Sequence, residues 1–349
     1  MGEMTEFTDA DARRALKADL QRFNLRVHQP DDPPLFTREP KPDVQTVHWR
    51  WADLEPLLSR LGSEVDLGAS GPRRTIRLHN PGLSFGTTNT FWASIQVILP
   101  GEVATAHRHS ASALRFIMQG SGATTTVDGE RYPMNEGDLV LTPAWTWHDH
   151  VHRGTEPMIW LDVLDISLMR TLQATFFEGY DRPEQAVSAL PDKSYRQYGS
   201  GLMRPPNTLP RDVPNPLLVY SNDMSQAALA QAALLPADPY DDVILEYQNP
   251  VDGGSAMRTL GQRLQTLRPG ARCRRRRHTG SKLYYVMRGE GTTIVEGKAY
   301  DWSRGDFLTI APWAWHEHSN RSGSEAATLF QVNDFPTMKA LGYYKEELE

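Results

Sequence analysis

Cysteine is almost absent: Cys273 stands alone among 349 residues. One thiol cannot close an internal disulfide, so the fold does not depend on an oxidising compartment. Long apolar runs are missing too, and none approaches the ~20 residues that cross a bilayer. The opening stretch MGEMTEFTDADARRALKADL is acidic and polar and lacks the apolar centre of a secretory signal. Nor is there an excess of basic charge. Lys and Arg total 37 against 43 Asp and Glu, a formal net charge of −6, which offers a nucleic-acid polyanion no footing. No helix-turn-helix is visible. These absences predict a cytoplasmic protein with neither a nucleic-acid nor a membrane partner. A hydrophobic fraction of 39% is ordinary for a globular chain, and the length allows two domains with their own cores.

The first 70 residues read as an arm. TDADARRALKADLQRFN (8–24) has Thr8 as a helix cap and apolar Ala12, Leu16, Leu20 and Phe23 at helical spacing. ADLEPLLSRL (52–61) predicts a second helix, and the Pro-rich segment between them is extended. From about residue 74 the texture changes to short strand-like runs (RTIRLH, FWASIQVIL, LRFIMQ, GDLVLTP, PMIWLDVLD) separated by turn residues. Many short strands of this kind predict an antiparallel barrel or sandwich. Segments 1–70, 71–166, 167–255, 256–335 and 336–349 are then arm, first barrel, helical and Pro-rich connector, second barrel and helical tail.

The chain repeats itself. LPGEVATAHRHSASALRFIMQGSGATTTVDG from Leu99 parallels RPGARCRRRRHTGSKLYYVMRGEGTTIVEG from Arg268. GDLVLTPAWTWHDH from Gly137 parallels GDFLTIAPWAWHEH from Gly305. Two copies of one small β-domain are the economical reading.

Within the first copy, His107 and His109 are two apart and project from one face of a strand. His148 follows a segment, TPAWTWH, that reads as a neighbouring strand. Three neutral imidazoles from two strands make an open site for a divalent first-row metal. An H-x-H pair alone is as often a packed or surface pair; the surrounding Gly101, Gly120, Gly137 and Pro143 at fixed offsets raise the metal reading above that. In the second copy His107 is replaced by Arg276, while His278 and His316 match His109 and His148. A guanidinium cannot ligate a metal, so one metal per chain is expected, in the first barrel. The RRRR run at 274–277 is expected to be a solvated charged face or a salt-bridge surface between subunits.

Arg115 shares parity with His107 and His109 and can clamp a carboxylate through its fork; a structural ion pair with Asp162 is the alternative. His150 has the parity of His148 and is a candidate proton acceptor, or else a rim histidine. Asp149 points to the opposite strand face yet could orient a nearby ring. Trp92, with Trp145 or Trp147, could stack on an aromatic ring or simply pack in the core.

The spacing PG(x)5HxH…G followed by G(x)5Px(x)3H resembles the two cupin motifs. That resemblance implies a mainly β fold of two tandem cupin (double-stranded β-helix, jelly-roll) barrels with an N-terminal helical arm. Most metal cupins add a Glu just after H-x-H; Ala113 and Leu114 stand there instead, leaving a three-His site. The wider pattern HRHS…LRF…GxG…DGE…GD…TPxWxWHDH resembles the bicupin gentisate 1,2-dioxygenase group, which includes salicylate and 1-hydroxy-2-naphthoate dioxygenases.

The resemblance implies Fe(II) held by His107, His109 and His148, O2 as co-substrate, and a homotetramer. It implies a substrate pocket containing Arg115, Arg73 (or Arg74 in its place), His150 and Trp92, with Ser94 and Thr75 at positions that tune specificity. The implied reaction opens the ring of an ortho-hydroxybenzoate between its carboxyl- and hydroxyl-bearing carbons. Gentisate is the first expectation, with Asp149 near its 5-hydroxyl. Salicylate, 5-substituted salicylates and 1-hydroxy-2-naphthoate are alternatives, and a non-catalytic ligand-binding bicupin is the alternative from another class. An oxalate-type decarboxylase would need the missing Glu.

Overall fold

Short β-branched and aromatic runs broken by Gly, Pro and Asp turns favour short strands. The computed structural model of the chain, which describes residues 9–27, 32–64, 74–206 and 215–349, consists mainly of them. Residues 1–41 form a unit of their own, whose described part carries α1 (Asp9–Arg22); the expected cap Thr8 lies outside the described residues.

The remaining chain begins with β1 (Val47–Trp49), α2 (Trp51–Glu64), β2 (Arg74–Arg77), β3 (Trp92–Ile98), β4 (Val103–His109) and β5 (Ala113–Gln119). It continues with β6 (Ala123–Val127), β7 (Glu130–Met134), β8 (Leu139–Thr142), β9 (His148–His152), β10 (Met158–Leu164), α3 (Ile166–Thr171), β11 (Phe177–Gly179) and α4 (Lys193–Tyr198). The second half holds β12 (Val219–Tyr220), α5 (Asn222–Ala232), β13 (Val243–Glu246), β14 (Gly261–Leu267), β15 (Arg276–His278) and β16 (Lys282–Arg288). It ends with β17 (Glu290–Val295), β18 (Lys298–Ser303), β19 (Phe307–Ile310), β20 (His316–Asn320), β21 (Ala327–Asn333), α6 (Phe335–Ala340) and β22 (Glu346–Leu348).

Each barrel is a six-stranded and a five-stranded sheet: β12-β8-β5-β10-β3-β2 with β11-β4-β9-β6-β7, and β1-β19-β16-β21-β14-β13 with β18-β17-β20-β15-β22. The two halves exchange their first strands. β1, from the N-terminal half, pairs with β19 of the second barrel, and β12 pairs with β8 of the first. The helix after each exchanged strand docks the same way. Trp51 N–H donates to Asp306 and Asn222 N–H to Asp138. At both places a positive-φ glycine makes room: a Cβ on Gly305 would lie 2.5 Å from Trp51, and one on Gly137 2.4 Å from Asn222.

The repeat therefore runs from β1–α2 and from β12–α5, well beyond the barrel strands legible in the sequence. Residues 167–255, read as a connector, supply β11 and β12 to the first barrel and β13 to the second. The tail expected to be helical is helical only at α6. Its end, β22, pairs with β15, because Glu347 meets Arg277 and Glu346 approaches Arg276.

Strand alternation sorts the cores. On β5, Leu114, Phe116 and Met118 face outward into an apolar layer shared with the second barrel, where Phe116 stacks on Phe330 at 3.9 Å between ring centroids. Ile117, on the opposite face, joins Ile98, Met158 and Trp160 inside the first barrel. Leu267, Tyr284 and Trp302 fill the second.

Candidate metal centre

β4 presents His107 and His109 from one face, and β9 begins at His148 directly opposite His107. The ligand nitrogens of the three rings lie within 4.8 Å of one another. Each Nδ1 meets a backbone carbonyl: Thr105 at 2.8 Å, Ala111 at 2.7 Å and Thr146 at 3.0 Å for His107, His109 and His148. A carbonyl only accepts, so Nδ1 carries the proton and each Nε2 directs a lone pair inward. His148 Nε2 is buried with no hydrogen-bond partner. Burial, then the neighbouring His107 and Arg115, hold the His148 pKa well below its ordinary value, which keeps the ring neutral. Three neutral nitrogens converging, one of them orphaned, fit a divalent first-row metal. Among the described residues this is the one group of three such side chains.

The segment expected as a strand before His148 is a turn. Trp145 has φ 63°, and the Thr146 hydroxyl donates to the Pro143 carbonyl at 2.7 Å. The turn sends both indoles to Arg108, whose guanidinium lies 4.6 Å from the Trp145 ring and 4.5 Å from that of Trp147. Neither indole is thereby left to stack on a ligand at the histidines.

The facing sheet supplies the polar wall. Cross-strand register aligns Arg77, Ser94, Asp162 and Arg115 in one row on the inner face. Thr75, Gln96 and Trp160 form the next row, and Trp92, Leu164, Ala113 and Thr142 a third. Arg115 is buried; its Nη1 donates to Thr142 Oγ1 at 2.6 Å and its Nε lies 3.5 Å from Asp162 Oδ1. The ion-pair alternative is thus met in part: Asp162 sits beside the guanidinium, yet Nε makes no hydrogen bond. Gln96 Nε2 and Trp92 Nε1 are likewise buried donors without acceptors. Orphaned donors on a wall opposite the three histidines suit an anionic, oxygen-rich ligand.

His150 is buried between the histidines and this wall, its ring 6.1 Å from His148 and 5.7 Å from Trp160. Ala113 is fully buried and brings no acid to the triad. Arg73 lies outside the described residues. Arg74 falls on the face opposite Thr75 and is tied to Glu102, so it does not serve as the pocket arginine.

Asp149 is not brought to the histidines either. On the outer face of β9 it accepts from the Gln185 backbone N–H at 2.7 Å and from Gln185 Nε2 at 3.3 Å. Its role here is to hold the 185 segment, and burial raises its pKa.

Four residues of the site escape the sequence reading. Gln96 was visible as a polar residue within the apolar run WASIQVIL. Arg77 has the parity of Thr75, and it stacks on Trp92 at 4.2 Å beside a small pocket that also touches His79 and Phe85. Thr142 is needed only because Arg115 reaches it. Phe177, stacked on His107 at 5.3 Å, comes from a strand with no local signature.

A model of the cupin domain matches residues 94–164 and 263–332. The chain is 38% identical over 346 residues to 5-aminosalicylate 1,2-dioxygenase of Comamonas sp, covering 97% of this chain and 90% of that one. It is 33% identical over 342 residues to gentisate 1,2-dioxygenase 1 of Aquipseudomonas alcaligenes, covering 95% and 97%. The crystal structure of salicylate 1,2-dioxygenase from Pseudoaminobacter salicylatoxidans with gentisate adducts matches with a TM-score of 0.89 at 30% identity, over 100% of this chain and 97% of that one.

Proposed function

Because the chain belongs to the bicupin family of gentisate and salicylate 1,2-dioxygenases, and is a ring-cleaving enzyme of that type, we propose that it opens gentisate (2,5-dihydroxybenzoate). Cleavage falls between the carboxyl-bearing and hydroxyl-bearing carbons, with Fe(II) at His107, His109 and His148 and O2 as co-substrate. The observation that carries this reading is the pairing of three Nδ1-tethered imidazoles with a buried arginine on the opposite wall. A ferrous ion bound there would supply a common point for the hydroxy-acid and dioxygen, and a path for electron density between them.

The protein's own groups do the rest. Arg115, aimed by Thr142 and Asp162, binds the substrate carboxylate through the Nε–H that has no internal acceptor. His150 takes the proton of the ring hydroxyl on an imidazole nitrogen. Trp92 and Gln96 donate to further oxygens. Trp160, Ile117 and Met158 make an apolar floor that keeps water from the reacting ring. Ser94 and Thr75 add hydroxyls to the same face, which favours a polar ring substituent. We assign Asp149 no contact with substrate.

A second reading, 5-aminosalicylate, is supported by the 38% identity to the Comamonas enzyme; it differs from gentisate by one hydrogen-bonding group. An aerobic panel of gentisate, salicylate, 5-aminosalicylate and 1-hydroxy-2-naphthoate, followed by ultraviolet absorbance of the opened product, tests both. Preference for gentisate supports the first reading and preference for 5-aminosalicylate the second. No turnover of any of the four by iron-loaded protein would sink both.

A further inference from the structure

The second barrel retains most of a metal cage. His278 Nδ1 meets the Gly280 carbonyl at 3.0 Å and His316 Nδ1 the Ala314 carbonyl at 2.8 Å, the same tethers that fix His109 and His148. The planes of His278 and His316 cross at 78°, those of His109 and His148 at 77°. Both second-barrel rings therefore also direct Nε2 inward. His278 Nε2 is buried without a partner.

Arg276, in the place of His107, does not occupy the centre. Its guanidinium is drawn to Asp241 at 2.7 Å and Glu346 at 3.6 Å. The residue that enters is Lys282. It is fully buried, and its Nζ donates to His316 Nε2, the atom equivalent to the orphaned His148 Nε2 of the first barrel. Lys282 holds the position of Ala113: each begins the strand four residues after the second histidine of the motif. Ala113 pairs across to Leu164 and Lys282 to Asn333, themselves counterparts in the repeat.

We propose that Lys282 is the built-in occupant of the second barrel's ligand cage, and that this amine, rather than Arg276 alone, keeps the cage closed to metal. A lone pair already receiving an N–H cannot also bind a cation. Burial and Arg276 pull the Lys282 pKa well below its ordinary value; a neutral amine still has an N–H to donate to His316, in a weaker bond than an ammonium makes. The inference is independent of which metal or substrate the first barrel takes, since its readout is the change in metal count relative to the parent protein.

The test is equilibrium dialysis of the full-length chain against Co(II), counted per folded chain. Arg276→His rebuilds the three-His set but leaves Lys282 in place, so the count stays at the parent value. Arg276→His with Lys282→Leu, which keeps the aliphatic stem and removes the nitrogen, binds one more ion per chain than the parent. Its cobalt absorption survives when His107→Ala empties the first barrel. An added ion in Arg276→His alone overturns the proposal, as does no added ion in a cooperatively melting double variant. If the double variant does not fold, Arg276→His with Lys282→Ala, which copies the residue the first barrel carries at Ala113, takes its place and is judged by the same count.

Discussion

Under the proposed function, His148 is the sharpest candidate ligand, since its Nδ1 is fixed by Thr146 and its Nε2 has no hydrogen-bond partner. His148→Ala is expected to lower metal content to near zero while the far-ultraviolet circular dichroism is kept. Retained stoichiometric metal would remove the triad from the site. Arg115 tests the opposite wall. Arg115→Lys keeps the charge but loses the fork, and a charge-assisted hydrogen bond worth ~1.5–3 kcal/mol predicts roughly a 10- to 150-fold loss in kcat/KM. Thr142→Val removes only the group that aims Arg115 and should cost about fivefold, chiefly in KM. The clustering of the histidines could be anticipated from H-x-H and its frame. Thr142 could not, because a threonine at a strand end acquires meaning only from the side chain that reaches it.

At the scale of elements, two reciprocal clasps join the halves. Thr90 donates to Asp334 at 2.7 Å and Thr259 to Asp165 at 2.6 Å, while those carboxylates also accept from Ser281 and Ser112 backbone N–H groups. Asp165 follows β10 and Asp334 follows β21, and each is met by a loop of the other barrel. Thr90→Val and Thr259→Val should each destabilise by about 1–2 kcal/mol in urea, and the double variant by nearly the sum.

Asp334 also sets a pH dependence. Burial lifts its pKa from 3.8 to about 6, so the folded state holds this proton more tightly than the unfolded chain does. The resulting stabilisation is complete below about pH 3.8 and is lost as pH rises through 6. Asp334→Asn removes that titration. The stability of the variant relative to the parent should therefore rise between pH 4 and pH 6.5; a constant difference across this range would show that Asp334 does not titrate there.

Across the whole molecule, the exchanged strands and the shared apolar layer make the two barrels one folding body. Phe116 on Phe330, with Tyr285 at 6.0 Å from Phe116, lies in that layer. Phe330→Ala should cost about 3–5 kcal/mol and lower a single unfolding transition common to both barrels. A variant whose barrels melt separately would contradict this coupling. The basic run at 274–277 is likewise absorbed within the chain: Arg275 meets Glu349, Arg276 meets Asp241, and Arg277 stacks over Trp313 and Trp315. Among the described residues no helix is long and apolar enough to cross a membrane.

By itself the sequence determined the duplicated barrel, the three clustered histidines, the missing acid at Ala113 and the parity that turns Arg115 inward. Those features are local: period-two alternation, glycine turns and short fixed spacings survive in a string of letters. Tertiary structure alone decided that Asp149 serves Gln185, that Trp145 and Trp147 hold Arg108, and that β1 and β12 change places. It also decided that Lys282 fills the second cage. Each of these depends on contacts between residues distant along the chain, where burial and competition for hydrogen-bond partners, rather than spacing, select what meets what.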